Sequence, residues 1–180
     1  MRTRICLALM AMLMCGAIGA SAGAAGQTAH VLAMTAYDLN GRMIEVPRAM
    51  GGDPSVWVLG FDRAQQPQID RIFALLATLR KGHPALDVWE VPVIEDPGAV
   101  VRFFIDNGMK SGIQGDARRA KVVTLYVASR AEWLRSAGIT TTAEAVVVRV
   151  SADGQVVRMA KQSEIKDAAT MEMFLVAPAP

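Results

Sequence analysis

The chain has 180 residues, 52% of them hydrophobic, with 19 Lys and Arg against 17 Asp and Glu. That length suits a single domain of ordinary size. The near-balance of charge excludes the broad basic surface that general nucleic-acid binding requires.

Arg2 and Arg4 give a short positive start, and Ile5 to Ala20 is an apolar run without charge. Ala20-Ser21-Ala22 is a small-x-small site, with Ala22-Gly23-Ala24 as a second choice. These parts in this order predict a secretory signal peptide over residues 1–22 and a periplasmic protein. The run is shorter than the roughly 20 residues that span a bilayer, and no second one follows, so no stable membrane span is expected after cleavage. Cys6 and Cys15 both lie in this segment. Met14 precedes Cys15, and Cys15 sits inside the run rather than at its end, which argues against a lipid anchor. Cleavage would leave a mature chain without cysteine and balance its charge at 17 against 17. No disulfide could then form, even in an oxidising compartment.

Residues 23–29 read as a flexible leader, 30–176 as one domain and 177–180 as a frayed tail. His30 to Tyr37 predicts a first strand, Asp38 to Arg42 a turn around an Asn-Gly pair, and Met43 to Val46 a return strand. Arg48 to Asp53 is a Gly-rich loop. Val56 to Phe61 is continuously apolar, as a strand buried on both faces would be. Pro67 suits a first helical turn. Ile69, Ile72, Phe73, Leu76 and Leu79 then form one apolar helical face, and Gly82 can end that helix.

Leu86 to Ile94 predicts the next strand. Asp96-Pro97 predicts a cap with proline at the first helical position, opening a helix with Val100, Val101, Phe103 and Phe104 that stops near Gly108. Lys121 to Val127 is a third buried strand. Ser129 to Glu132 is a capping box for a short helix with Trp133 and Leu134, closed by Gly138. Ala145 to Val150 and Gln155 to Met159 are strands joined through an Asp153-Gly154 turn. Ser163 can cap a last helix containing Ile165 and Ala169. The order is a lead-in hairpin, then β-α-β-α-β-α-β-β-α. It predicts an α/β fold of three layers, with a central mixed sheet, helices on both faces and a C-terminal β-hairpin.

Three stretches carry a resemblance: Ala36 to Val46, Val56 to Phe61 with its loop and helix, and Leu125 to Val157 with its Gly138-Ile139 pair and Asp-Gly turn. In this order they resemble the thioredoxin-like superfamily in its longer TlpA and peroxiredoxin-type layout. The resemblance implies a redox cysteine at the start of the first long helix and a cis-proline before the late strand. The sequence has Asp62-Arg63-Ala64-Gln65-Gln66 at the first place and Thr140 to Glu144 at the second. Thiol-disulfide exchange needs a thiolate, so neither that activity nor peroxide reduction carries over. Cysteine-poor branches, the periplasmic YtfJ-like group and the mitochondrial ATP-synthase assembly factors, are similar in segment order.

The candidate partner or ligand site is therefore Asp62, Arg63, Gln65, Gln66, Thr142 and Glu144, with Thr140 and Thr141 beside them. A loop at the carboxyl end of a central strand, ahead of a helix N-terminus, is where α/β sheets bind ligands. Helix capping by Asp62 is the simpler reading. Lys110, Arg118, Arg119 and Lys121 form a basic segment without the phosphate-loop pattern. His30 and His83 are too few for a metal set, and the methionines, Met171 and Met173 among them, suit a core better than copper. No cofactor is expected. The leading expectation is a non-redox module that binds an envelope protein or peptide. The alternative is a non-thiol enzyme, or a small-ligand or metal carrier, using the same loop.

Overall fold

The computed structural model describes residues 28–51 and 55–176. The expected signal peptide with Cys6 and Cys15, most of the leader, and the tail lie outside the described residues. The elements run β1 (Met34–Asp38), β2 (Met43–Val46), β3 (Ser55–Gly60), α1 (Gln66–Leu79), β4 (Val88–Glu95), α2 (Ala99–Gly112), α3 (Asp116–Arg119), β5 (Val123–Val127), α4 (Arg130–Ser136), β6 (Val146–Val150), β7 (Val156–Lys161) and α5 (Ala168–Val176).

The seven strands form one mixed sheet in the order β2-β1-β5-β4-β3-β6-β7. The central trio β5, β4 and β3 is parallel. β1 and β6 join it antiparallel, and β2 and β7 close the edges as hairpin partners. β3 is buried at every position because each face meets its own core. Val56 and Val58 point into a cluster with Ile69, Ile72 and Leu76 of α1 and Met171, Phe174 and Leu175 of α5. Trp57 and Leu59 point into the opposite cluster, with Trp89, Val91, Leu125 and Trp133 of α4. The Trp57 Nε1–H donates to Ser55 Oγ at 2.8 Å, so the indole is buried without an orphaned donor.

α1 has no side-chain cap bond at its first turn. Burial holds it instead: Ile69, Ile72 and Leu76 contribute about 1.5–3 kcal/mol each, against a few tenths for differences in helix propensity. Phe73 and Leu79, expected on the same face, are only partly buried.

Several boundaries differ from the sequence reading. The first strand starts at Met34 rather than His30, because 29–31 are drawn to the other end of the sheet. There His30 N donates to Ser136 O, Val31 N to Gly154 O, and Val156 N to Ala29 O. The second helix begins at Ala99, not at Pro97. Asp96 Oδ1 accepts from Gly98 N at 2.9 Å, and Gly98 takes φ 86°, a left-handed value that suits glycine. That helix also runs through Gly108 to Gly112. Ser163 does not cap the last helix. It lies in a 3-10 turn, Gln162–Glu164, Ile165 falls outside the helix, and Asp167 takes the capping role by accepting from Thr170 N at 2.8 Å. Ser129 does cap α4, accepting from Glu132 N at 3.3 Å.

Trp57 fills the centre of one core and is fully buried. Trp57→Ala is expected to lower unfolding stability by about 3–5 kcal/mol, read from urea titration, with the indole's loss to be separated from general damage by a milder Trp57→Phe.

Candidate functional site

Where β3 leaves the sheet, Asp62 is extended and its Oδ1 accepts from Ala64 N at 2.7 Å. This caps a 3-10 turn, Arg63–Gln65, that leads into α1. The turn swings Gln65 beneath the loop, where it is 4% exposed. Its Oε1 accepts from Phe61 N at 2.8 Å, and its Nε2 donates to Thr142 O at 2.7 Å. A primary amide carries a separate acceptor and donor at one uncharged side-chain end, so it can bridge a backbone N–H and a carbonyl at once. One turn further, Gln68 Oε1 accepts from Ala145 N at 2.8 Å. Two glutamines thus stitch the start of α1 to the 142–145 segment, and Arg130 Nη1 donates to Phe61 O at 3.3 Å from the other side.

Of the residues expected to form a site, Gln65 and Thr142 meet directly. Asp62 is a cap. Gln66 Nε2 donates to Asp70 Oδ1 at 3.1 Å. Glu144 Oε2 accepts from Ser163 N at 2.7 Å, which holds its carboxyl below the usual range, and so Glu144 is tied to the turn before α5 rather than to Gln65. Arg63 is exposed. Two surface concavities are found elsewhere, one along Thr28, Ala29, Arg135, Ser136 and Gly138, the other between 33–35, 45–48 and 152–153. Neither joins 62–66 to 140–144.

A carboxylate outside the expected set lies beneath α1. Glu90 on β4 is 4% exposed. Burial pushes its carboxyl up, while the Arg118 charge and the Gln66 amide pull it partly back. Further along the same sheet face, the Thr124 Oγ1 is buried without a partner. Beyond it the Tyr126 hydroxyl donates to Asp106 Oδ1 at 2.8 Å, and the Arg102 guanidinium sits 5.0 Å over its ring. Burial first, then Asp106, pushes the phenol up. Arg102 pairs with Asp96, with Nε 2.6 Å from Oδ1, and holds that carboxyl down. The signal for Glu90 was present in the sequence: a lone acid in Val-Trp-Glu-Val-Pro-Val.

The basic segment does not converge. Lys121 Nζ lies 3.9 Å over the Trp89 ring and 2.6 Å from Asp87 Oδ1. Arg119 donates to Ile113 O. His83 Nε2 lies 2.7 Å from Glu172 Oε1, joining the loop after α1 to α5, while His30 forms a bridge with Gln155. Among the described residues, no three His, Cys, Asp or Glu side chains gather as a metal set, and no helix is long and apolar enough to cross a membrane.

No family model and no curated protein matches the chain. Solved structures do. Yeast Sco1 matches with a TM-score of 0.56 at 9% identity, covering 84% of this chain and 96% of that one. BsSco, a member of the Sco family of cytochrome c oxidase assembly proteins, matches with a TM-score of 0.54 at 13% identity, covering 82% and 91%. The thioredoxin domain of a thiol-disulfide oxidoreductase from Bacteroides vulgatus matches with a TM-score of 0.50 at 15% identity, covering 82% and 96%. The fold is thioredoxin-like, as the order of segments implied.

Gln65→Ala strands the Phe61 N–H and the Thr142 carbonyl, so stability is expected to fall by about 2–6 kcal/mol at 1–3 per lost partner, measured by urea unfolding. Glu90 predicts a pH dependence. Its folded pKa lies above its unfolded one, so the folded state holds the extra proton between the two. Stability is therefore full below the ordinary carboxylate range and falls as pH rises through the raised value. In Glu90→Gln that fall should vanish and the melting temperature at neutral pH should rise; an unchanged slope would remove Glu90 as its source.

Proposed function

We propose that this is an exported, non-redox thioredoxin-fold protein that holds a protein or peptide partner in an assembly or chaperone-like role. The observation that carries the reading is the Gln65 bridge. At the place where the superfamily keeps its nucleophile, this chain has a buried amide that satisfies backbone groups. A thiolate is the nucleophile of disulfide exchange, and 62–66 contains none.

Export to the periplasm rests on the order of charge, apolar run and small-x-small site at the N-terminus, with residues 30–176 acting as one domain. The assembly role is supported by the likeness to BsSco, a member of the Sco family of cytochrome c oxidase assembly proteins. A non-thiol enzyme, or a carrier using Asp62, Arg63 and Glu144, is less well supported. Asp62 and Glu144 are committed to backbone N–H groups, and neither of the two concavities described above joins the two loops, whereas small-molecule sites are concave. What the loop presents outward is Arg63 and Gln66, a surface suited to a partner.

A photocrosslinking side chain at position 63 of the exported chain should give a discrete adduct that is absent when the same group replaces Lys81, beyond the far end of α1. Adducts alike at both positions, or none at 63, would overturn the reading. Measurable turnover of insulin disulfides by the purified protein would overturn its non-redox part.

A further inference from the structure

α1 and α2 are each 14 residues long, but they are held to the sheet in different ways. α1 buries Ile69, Ile72 and Leu76, whereas no residue of α2 is buried. Packing of an apolar face is what normally ties a helix to its sheet. The bulky apolar residues of α2 point the other way: Val100, Phe103 and Phe104 are 71%, 64% and 68% exposed. The printed ties of α2 are polar and few. The Tyr126 hydroxyl donates to Asp106 Oδ1 at 2.8 Å, the Arg102 guanidinium lies 5.0 Å over the Tyr126 ring, and Arg102 pairs with Asp96 at the end of β4. At the far end Arg119 Nε donates to Ile113 O at 2.8 Å.

Both ends of the segment pass through glycines in the left-handed region, Gly98 at φ 86° and Gly115 at φ 85°. A Cβ at either would meet nothing within 4 Å. Such positions can absorb a change of backbone angle without a clash, as hinges do. Beneath the segment the chain runs along β5, from Tyr126 back to Val122, whose N–H is bonded to Arg119 O. Thr124 lies between them on the same strand face. It is 4% exposed, and its Oγ1 has no partner. A hydroxyl buried in this way favours any conformation that wets it.

We propose that residues 99–114 form a hinged lid over β5, turning about Gly98 and Gly115. The lid lifts as a unit and keeps its own helical bonds. The bond from Tyr126 to Asp106 is its latch, and the unpartnered Thr124 hydroxyl favours its opening. α1, pinned by three buried side chains, stays in place. The closed form hides a polar strip of β5, and the open form presents it.

Thiol labelling tests this. Cys6→Ser and Cys15→Ser remove the chain's own two thiols. In that background Thr124→Cys places a thiol under the lid. Val58→Cys places one in the core beneath α1, at a position 0% exposed, where global unfolding is needed to uncover it. Each maleimide labelling rate is divided by that of the same variant unfolded in urea. The ratio at 124 is expected to exceed that at 58 by about tenfold or more. Any destabilisation by Val58→Cys speeds its own labelling, so the comparison is weighted against the lid. Adding Tyr126→Phe removes the latch hydroxyl and should speed labelling at 124 by about threefold or more. Equal ratios at the two positions would overturn the proposal, as would a rate at 124 that Tyr126→Phe leaves unchanged.

Discussion

A strand buried on both faces must end somewhere, and its last backbone groups still need partners where the chain turns out of the sheet. β3 is that strand here. Its alternating side chains feed two separate cores, so the rest of the sheet is placed relative to it. At its exit the Phe61 N–H is taken by Gln65 Oε1 and the Phe61 carbonyl by Arg130 Nη1. The same Gln65 amide carries the connection on to Thr142. A buried N–H or carbonyl without a partner costs about 1–3 kcal/mol. That is large beside the 5–15 kcal/mol by which a domain is stable. The Gln65 bridge is therefore part of what fixes the meeting of the two loops.

The sheet is not uniform under its helices. Beneath α1 and α5 the face is oily, with Val56, Val58, Val88 and Val147. Towards α2 the same face turns polar, with Glu90, Thr124 and Tyr126. A helix over a polar face can present polar residues to it, and α2 does so with Arg102 and Asp106. Its apolar residues are then left on the outside. The exposure of Phe103 and Phe104 and the buried carboxyl of Glu90 belong to one arrangement, in which the polar half of this layer sits inside.

The layout was legible because β-branched runs and helical periodicity depend on burial, and burial here follows the sequence closely in β3, β6 and α1. α2 shows the limit of that logic. Val100, Val101, Phe103 and Phe104 identify a helix correctly, yet periodicity reports only that a helix has two sides, not which one faces the sheet. Loop and cap details depend on contacts far along the chain. His30 pairs with Gln155 rather than extending β1, and Ser163 lies in a 3-10 turn ahead of α5, whose cap is Asp167. Gln65 and Thr142 could be placed opposite each other from the order of segments. That one amide would satisfy both loops could not, since it depends on the 3-10 turn that rotates Gln65 inward.

The Gln65 bridge also bears on what kind of activity this fold can support. A group that binds or reacts with a ligand must be able to present an atom to it. At the end of β3 the opposite condition holds. Asp62 is spent on a cap, Gln65 is buried and doubly bonded, and Glu144 is bound to Ser163. Exposed apolar side chains lie elsewhere, Phe103 and Phe104 of α2 among them, and Arg63 stands exposed on the rim of the loop.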